Sequence, residues 1–150
     1  MLAAMLARRL PHASLLGLAL LAAACQPKPK DIPGPEQAWK DMDHAERQAY
    51  MAEAVLPHMQ ATFQGFDAER FASLDCATCH VTGAAAGTFA MPDPGLPKLS
   101  RWHFNREHMK TQRETVHFMW EHVEPEMSAL LGGPKGLRGF NCRSCHMIRP

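Results

Sequence analysis

The 150-residue sequence has no hydrophobic run of bilayer length, no excess of basic charge, no strand-like alternation and only 5 cysteines. Each shortage excludes something. The apolar stretch Leu15 to Ala24 is too short for a transmembrane helix, which needs about 20 apolar residues. The 16 Lys+Arg against 15 Asp+Glu give a net charge of +1, which argues against nucleic acid as a partner, because that function carries a strong basic excess. Without a period-two pattern, an all-α fold is expected. Four of the cysteines fall into two short motifs, which leaves Cys25 without a partner.

The motifs are Cys76-Ala77-Thr78-Cys79-His80 and Cys142-Arg143-Ser144-Cys145-His146. Each has the spacing of a c-type haem attachment site. Two thiols three positions apart on a helix can both form thioethers to one porphyrin, and the adjacent His then supplies the proximal iron ligand. The expectation is two covalently bound c-type haems, held by Cys76, Cys79, Cys142 and Cys145, with His80 and His146 on iron. Two rival readings are a single four-cysteine zinc site and a thiol redox pair or disulfides. A zinc ribbon usually separates its halves by roughly 15–20 residues. Here the motifs are offset by 66, and a four-thiolate zinc has no use for either His.

Residues 1–24 read as an export signal. Arg8 and Arg9 form a short positive region, and the Leu/Ala stretch ends in small residues. Cys25 follows directly in Leu21-Ala22-Ala23-Ala24-Cys25, which resembles a bacterial lipoprotein signal with Cys25 as the lipidation site. Ordinary cleavage near Ala24 is the alternative. Several acyl chains would anchor stably where one binds marginally. The expected location is the periplasmic side of a bacterial membrane. Gln26, where an Asp would mark inner-membrane retention, points to the outer membrane or an equivalent periplasm-facing surface. Residues 25–36, with Pro27, Pro29, Pro33 and Pro35, read as a semi-extended tether. Residues 37–150 are then one folded domain.

A second repeat lies upstream of the motifs. Tyr50-Met51-Ala52-Glu53-Ala54-Val55-Leu56-Pro57-His58-Met59 aligns with Phe118-Met119-Trp120-Glu121-His122-Val123-Glu124-Pro125-Glu126-Met127 at an offset of 68. A low-spin electron-transfer haem needs a second axial ligand, and thioether sulfur raises its potential relative to imidazole. Met59 lies 17 residues before Cys76 and Met127 lies 15 before Cys142. Those distances let a helix lie across the distal face of its own haem. Packing competes as an explanation, since Met fills irregular gaps. Recurrence in register with the cysteines favours Met59 and Met127 as distal ligands.

The order of helix with Met, turn and Cys-x-x-Cys-His, repeated, resembles the multihaem cytochrome subunit of bacterial photosynthetic reaction centres at half size. The resemblance covers about Tyr50 to His80 and Phe118 to His146. It implies helices wrapped around two haems, thioethers at Cys76, Cys79, Cys142 and Cys145, proximal His80 and His146, and distal Met59 and Met127. It implies electron transfer and redox-protein partners, and no enzymatic activity of the chain's own. Rival ligands are Met91, in the Gly- and Pro-rich loop that joins the two units, and His58, His103, His108, His117 and His122, which would give bis-His haems. Alternative functions are a small haem enzyme or gas-binding cytochrome with one open iron, or a subunit of a larger membrane oxidoreductase.

Charge is unevenly spread. Cys25 to Leu96 holds 5 basic and 10 acidic residues, and Pro97 to Pro150 holds 9 and 5. Such a dipole can orient encounters with redox partners. Helices are expected over Gln37–Gln64, bent at Pro57, and over Asn105–Leu131, bent at Pro125. A short helix should start at each motif, the first broken at Gly83.

Overall fold

The computed structural model describes residues 32–100, 106–134, 136 and 139–149. The described residues are mostly helical, in agreement with the expected all-α class. Helix α1 (His44–Tyr50) is started by a reciprocal cap, in which Glu46 N–H donates to Asp43 Oδ1 and Asp43 N–H donates to the Glu46 carboxylate. The chain then passes through a π turn (Met51–Val55) into α2 (Leu56–Phe66). Two short helices follow, α3 (Cys76–Cys79) and α4 (Val81–Ala85). After strand β1 (Leu99–Ser100) come α5 (His108–Thr111) and α6 (Arg113–Phe118). A second π turn (Met119–Val123) leads to α7 (Glu124–Leu130), and strand β2 (Ile148–Arg149) closes the order.

The sequence repeat is also a structural one. Both π turns fall at the same repeat position, and each is closed by an i to i−5 bond, Leu56 N–H to Met51 O and Glu124 N–H to Met119 O. The cause is the proline that follows. Pro57 and Pro125 lack an N–H, and their rings press on the carbonyl four residues back. One wider turn relieves this without breaking the helix. The expected bends at Pro57 and Pro125 take this form.

The two repeats pack reciprocally. Helix α2 contacts the second π turn and α7 contacts the first. The leading aromatic of each copy reaches the far end of the other. Tyr50 donates its hydroxyl to Leu130 O at 2.6 Å, and Phe118 stacks on Phe66 at 4.2 Å. Val55, Met59, Phe63, Leu74, Phe118 and Leu130 form the core, together with Ile32. Each such side chain contributes about 1.5–3 kcal/mol on burial. Ile32 in the core shows that packing begins ahead of Gln37, so the later part of the expected tether lies against the domain. Residues 1–24, Cys25 and the earlier tether lie outside the described residues.

Some boundaries differ from expectation. The first helix starts at His44 and continues past Gly65 to Phe66. The second expected helix is interrupted at Gln112, whose φ of −139° and ψ of 41° are not helical. It ends at Leu130, followed by Gly132 at φ +67°, a conformation open to glycine at little cost. Among the described residues, no helix is long and apolar enough to cross a membrane.

Candidate haem-attachment sites

The two Cys-x-x-Cys-His motifs are built alike. Asp75 Oδ1 accepts from Thr78 N–H at 3.1 Å, and Thr78 Oγ1 accepts from Asp75 N–H at 3.1 Å. In the second motif, Asn141 Oδ1 accepts from Arg143 N–H at 2.9 Å, and Ser144 Oγ accepts from Asn141 N–H at 3.1 Å. Each motif is therefore a single capped turn. Its histidine closes that turn, with N–H bonds from His80 to Cys76 O and from His146 to Cys142 O, both 2.9 Å. The break after the first turn falls at His80, φ −104° and ψ 56°, and Gly83 sits inside the next helix. The second motif is a 3-10 turn, Cys142–Ser144.

Each repeat helix is tied to its own motif. Gln60, beside Met59, donates to Leu74 O at 2.8 Å, just ahead of the first motif. Cys142 Sγ contacts Glu124 Oε2 at 3.4 Å, at the start of the helix that carries Met127. Met59 is 4 % exposed within the core, and Met127 packs against that core. The expected ligand helices therefore lie next to the expected attachment turns.

The loop between the motifs was expected to be irregular, yet it joins them. Asp93 N–H donates to Cys145 O at 3.0 Å, and Leu99 N–H donates to Met147 O at 2.9 Å. Strands β1 and β2 pair in parallel beside these contacts. Pro97 O accepts from His146 Nδ1 at 2.9 Å. This bond fixes the ring and leaves Nε2 free, which is the arrangement of a metal-binding histidine with its outer partner in place. His80 Nδ1 is buried with no hydrogen-bond partner. The Phe89 ring meets the His80 ring edge-on at 5.7 Å, and the Phe89 backbone lies near enough to favour the protonated imidazole. Burial holds both histidines below their ordinary pKa, as neutral rings, and at His80 it outweighs the opposing Asp93 charge and Phe89 backbone.

Three of the motif thiols, Cys79, Cys142 and Cys145, are raised above their ordinary pKa. Burial pushes Cys142 up to about 11 and Cys145 up to about 12, with the Glu124 carboxylate adding to the first and Cys79 to the second. Cys79 is also raised, chiefly by burial. A thiol redox centre needs the opposite shift. The two motifs lie near each other: Cys79 adds to the shift at Cys145, and Asp93 bonds both Cys145 O and the Thr82 and Gly83 N–H groups just after His80. No disulfide joins the four motif cysteines. Among the described residues, no three His, Cys, Asp or Glu side chains are grouped to hold a metal ion.

The rival ligands are dispersed. His58 and His122 both face Glu126, at 3.0 and 3.7 Å. His117 pairs with Glu121 on the surface. His108 Nε2 is buried without a partner, and His108 lies close enough to His146 to lower its pKa. Met91 is half-buried, with a cis bond to Pro92. His103 lies outside the described residues. The residues present fit two haems held through paired thiols and a neutral histidine each. Sequence reasoning missed the caps Asp75 and Asn141 and the buried Asp93. A visible signal existed for the caps: an Asp or Asn before the first Cys, with Thr or Ser three positions on. Comparison with protein families, with curated proteins and with solved structures gave no match.

Proposed function

We propose that this chain is a di-haem c-type cytochrome that relays electrons on the periplasmic side of a bacterial membrane, anchored through lipid at Cys25. The observation that carries the reading is the His146 Nδ1 bond to Pro97 O, which leaves Nε2 free beside two unactivated thiols. Bound haem would supply the one-electron chemistry of its iron. The chain's residues do the rest. Cys76, Cys79, Cys142 and Cys145 hold the porphyrins, His80 and His146 serve as proximal ligands, and Met59 and Met127 as distal ligands. The approach of Cys79 to Cys145 supports two neighbouring haems serving as a short wire. The uneven charge along the sequence suits docking of separate donor and acceptor proteins.

The test is a spectroelectrochemical titration of protein matured in a host with c-type haem machinery. Two one-electron steps, with no carbon monoxide binding to the reduced protein, are expected. Carbon monoxide binding at one iron would move the protein to the gas-binding or haem-enzyme class. A second ligand reading, His108 in place of Met127, draws on the orphaned His108 Nε2. Electron paramagnetic resonance of the oxidised protein distinguishes His/His from His/Met.

A further inference from the structure

Asp93 is the one large side chain that is fully enclosed among the described residues, at 0 % exposure, although it lies outside the hydrophobic core. Its own loop wraps it. Oδ1 accepts from Gly95 N–H at 2.7 Å and Thr82 N–H at 3.1 Å, and Oδ2 accepts from Gly83 N–H at 2.8 Å. Thr82 and Gly83 directly follow His80. The Asp93 N–H bonds Cys145 O, the residue before His146, and Asp93 bridges His146 in parallel register. One residue thus grips the segments that carry both histidines. The same loop contains Pro97, which bonds His146, and Phe89, which faces His80. Phe89 is held at φ +51°, which is rare for a bulky residue and persists only where surroundings impose it.

We propose that Asp93 is a positioning residue that locks the two histidine segments together and, by its fixed negative charge beside His80, lowers the reduction potential of the first haem. This inference rests on the di-haem reading above. Three N–H donors match a carboxylate, whereas an amide in its place turns a donor towards one of them. A nearby negative charge stabilises the oxidised, more positive iron, so its removal favours the reduced form. Cys145 and His146 meet Asp93 through backbone, so the second haem feels the charge less.

The test is Asp93→Asn in the haem-loaded full chain, with a redox titration followed by nuclear magnetic resonance to resolve the two haems. The first haem should shift about tenfold towards the reduced form at fixed potential, or about 59 mV upward for a one-electron couple. The second should move less. A two-haem, helical Asp93→Asn protein with both potentials unchanged overturns this inference alone. A wild-type chain that carries no haem after maturation overturns the di-haem reading with it. Should the variant fail to fold, amide exchange in the reduced wild-type protein decides. Strong protection of Thr82, Gly83 and Gly95 supports the clamp, and exchange at the free-chain rate overturns it.

Discussion

His58 and Glu126 occupy the same position in the two repeats, and they bond to each other, Nε2 to Oε2 at 3.0 Å across 68 residues. A position that meets its own equivalent marks a local two-fold relation, as in an isologous contact. Thr62 donates to the same Glu126 oxygen at 2.6 Å. The carboxylate is 3 % exposed, so its partners stand in for water. This polar contact, with the Tyr50 bond to Leu130 O, adds specificity to the packing of the two repeats. It lies next to both proposed distal ligands, Met59 and Met127.

Glu126→Ala should therefore destabilise the haem-loaded protein by about 1–3 kcal/mol, because Thr62 and His58 lose their acceptor. A double-mutant cycle with His58→Ala should give a coupling of about 0.5–3 kcal/mol in thermal unfolding. Additive losses would show that the pair is not coupled.

Met59→Leu and Met127→Leu separate ligation from packing. The swap keeps volume and should cost less than about 1.5 kcal/mol in stability. Each should lower the potential of its own haem and let the reduced iron bind carbon monoxide. Wild-type spectra and potentials in both variants would remove these residues from the ligand set.

Gly83→Ala tests the approach of the loop to the first motif. An added Cβ would lie 2.9 Å from Ala90 N and 3.0 Å from Phe89 Cα, both backbone atoms. The expected loss is about 1–3 kcal/mol, with the optical spectrum of the first haem altered and that of the second intact. Equal changes at both haems would contradict this local account.

Tyr50 is the single tyrosine of the chain, so its ionisation can be followed alone by ultraviolet difference absorbance. Burial raises its pKa above 10.0. Because the folded value exceeds the unfolded one, the associated stability is present below pH 10.0 and is lost as pH rises through the folded value. Tyr50→Phe should cost about 1 kcal/mol near neutral pH, since Leu130 O loses its donor. The difference from wild type should shrink at higher pH. A titration midpoint at or below 10.0 would contradict a half-buried hydroxyl held by Leu130 O.

The helical class, the repeat and the turns at the two Cys-x-x-Cys-His motifs were legible in the sequence because each rests on local spacing. Pro57 and Pro125 announced an interruption, but not that one wider turn would absorb each of them and let the helix continue. The loop after Gly83 looked structureless. Its order comes from pairing with the segment after Cys142, and two-residue strands such as Leu99–Ser100 have no period to read. Asp93 was hidden for the same reason. A lone Asp between prolines reads as a turn residue, and only the fold brings Thr82, Gly83 and Cys145 to it.

The intact mass of protein matured in a host with c-type haem machinery tests the central claim most directly. The account predicts an increment of two haems, with Cys76, Cys79, Cys142 and Cys145 all unavailable to alkylation. A mass without haem, with those four thiols free or holding zinc, would contradict it.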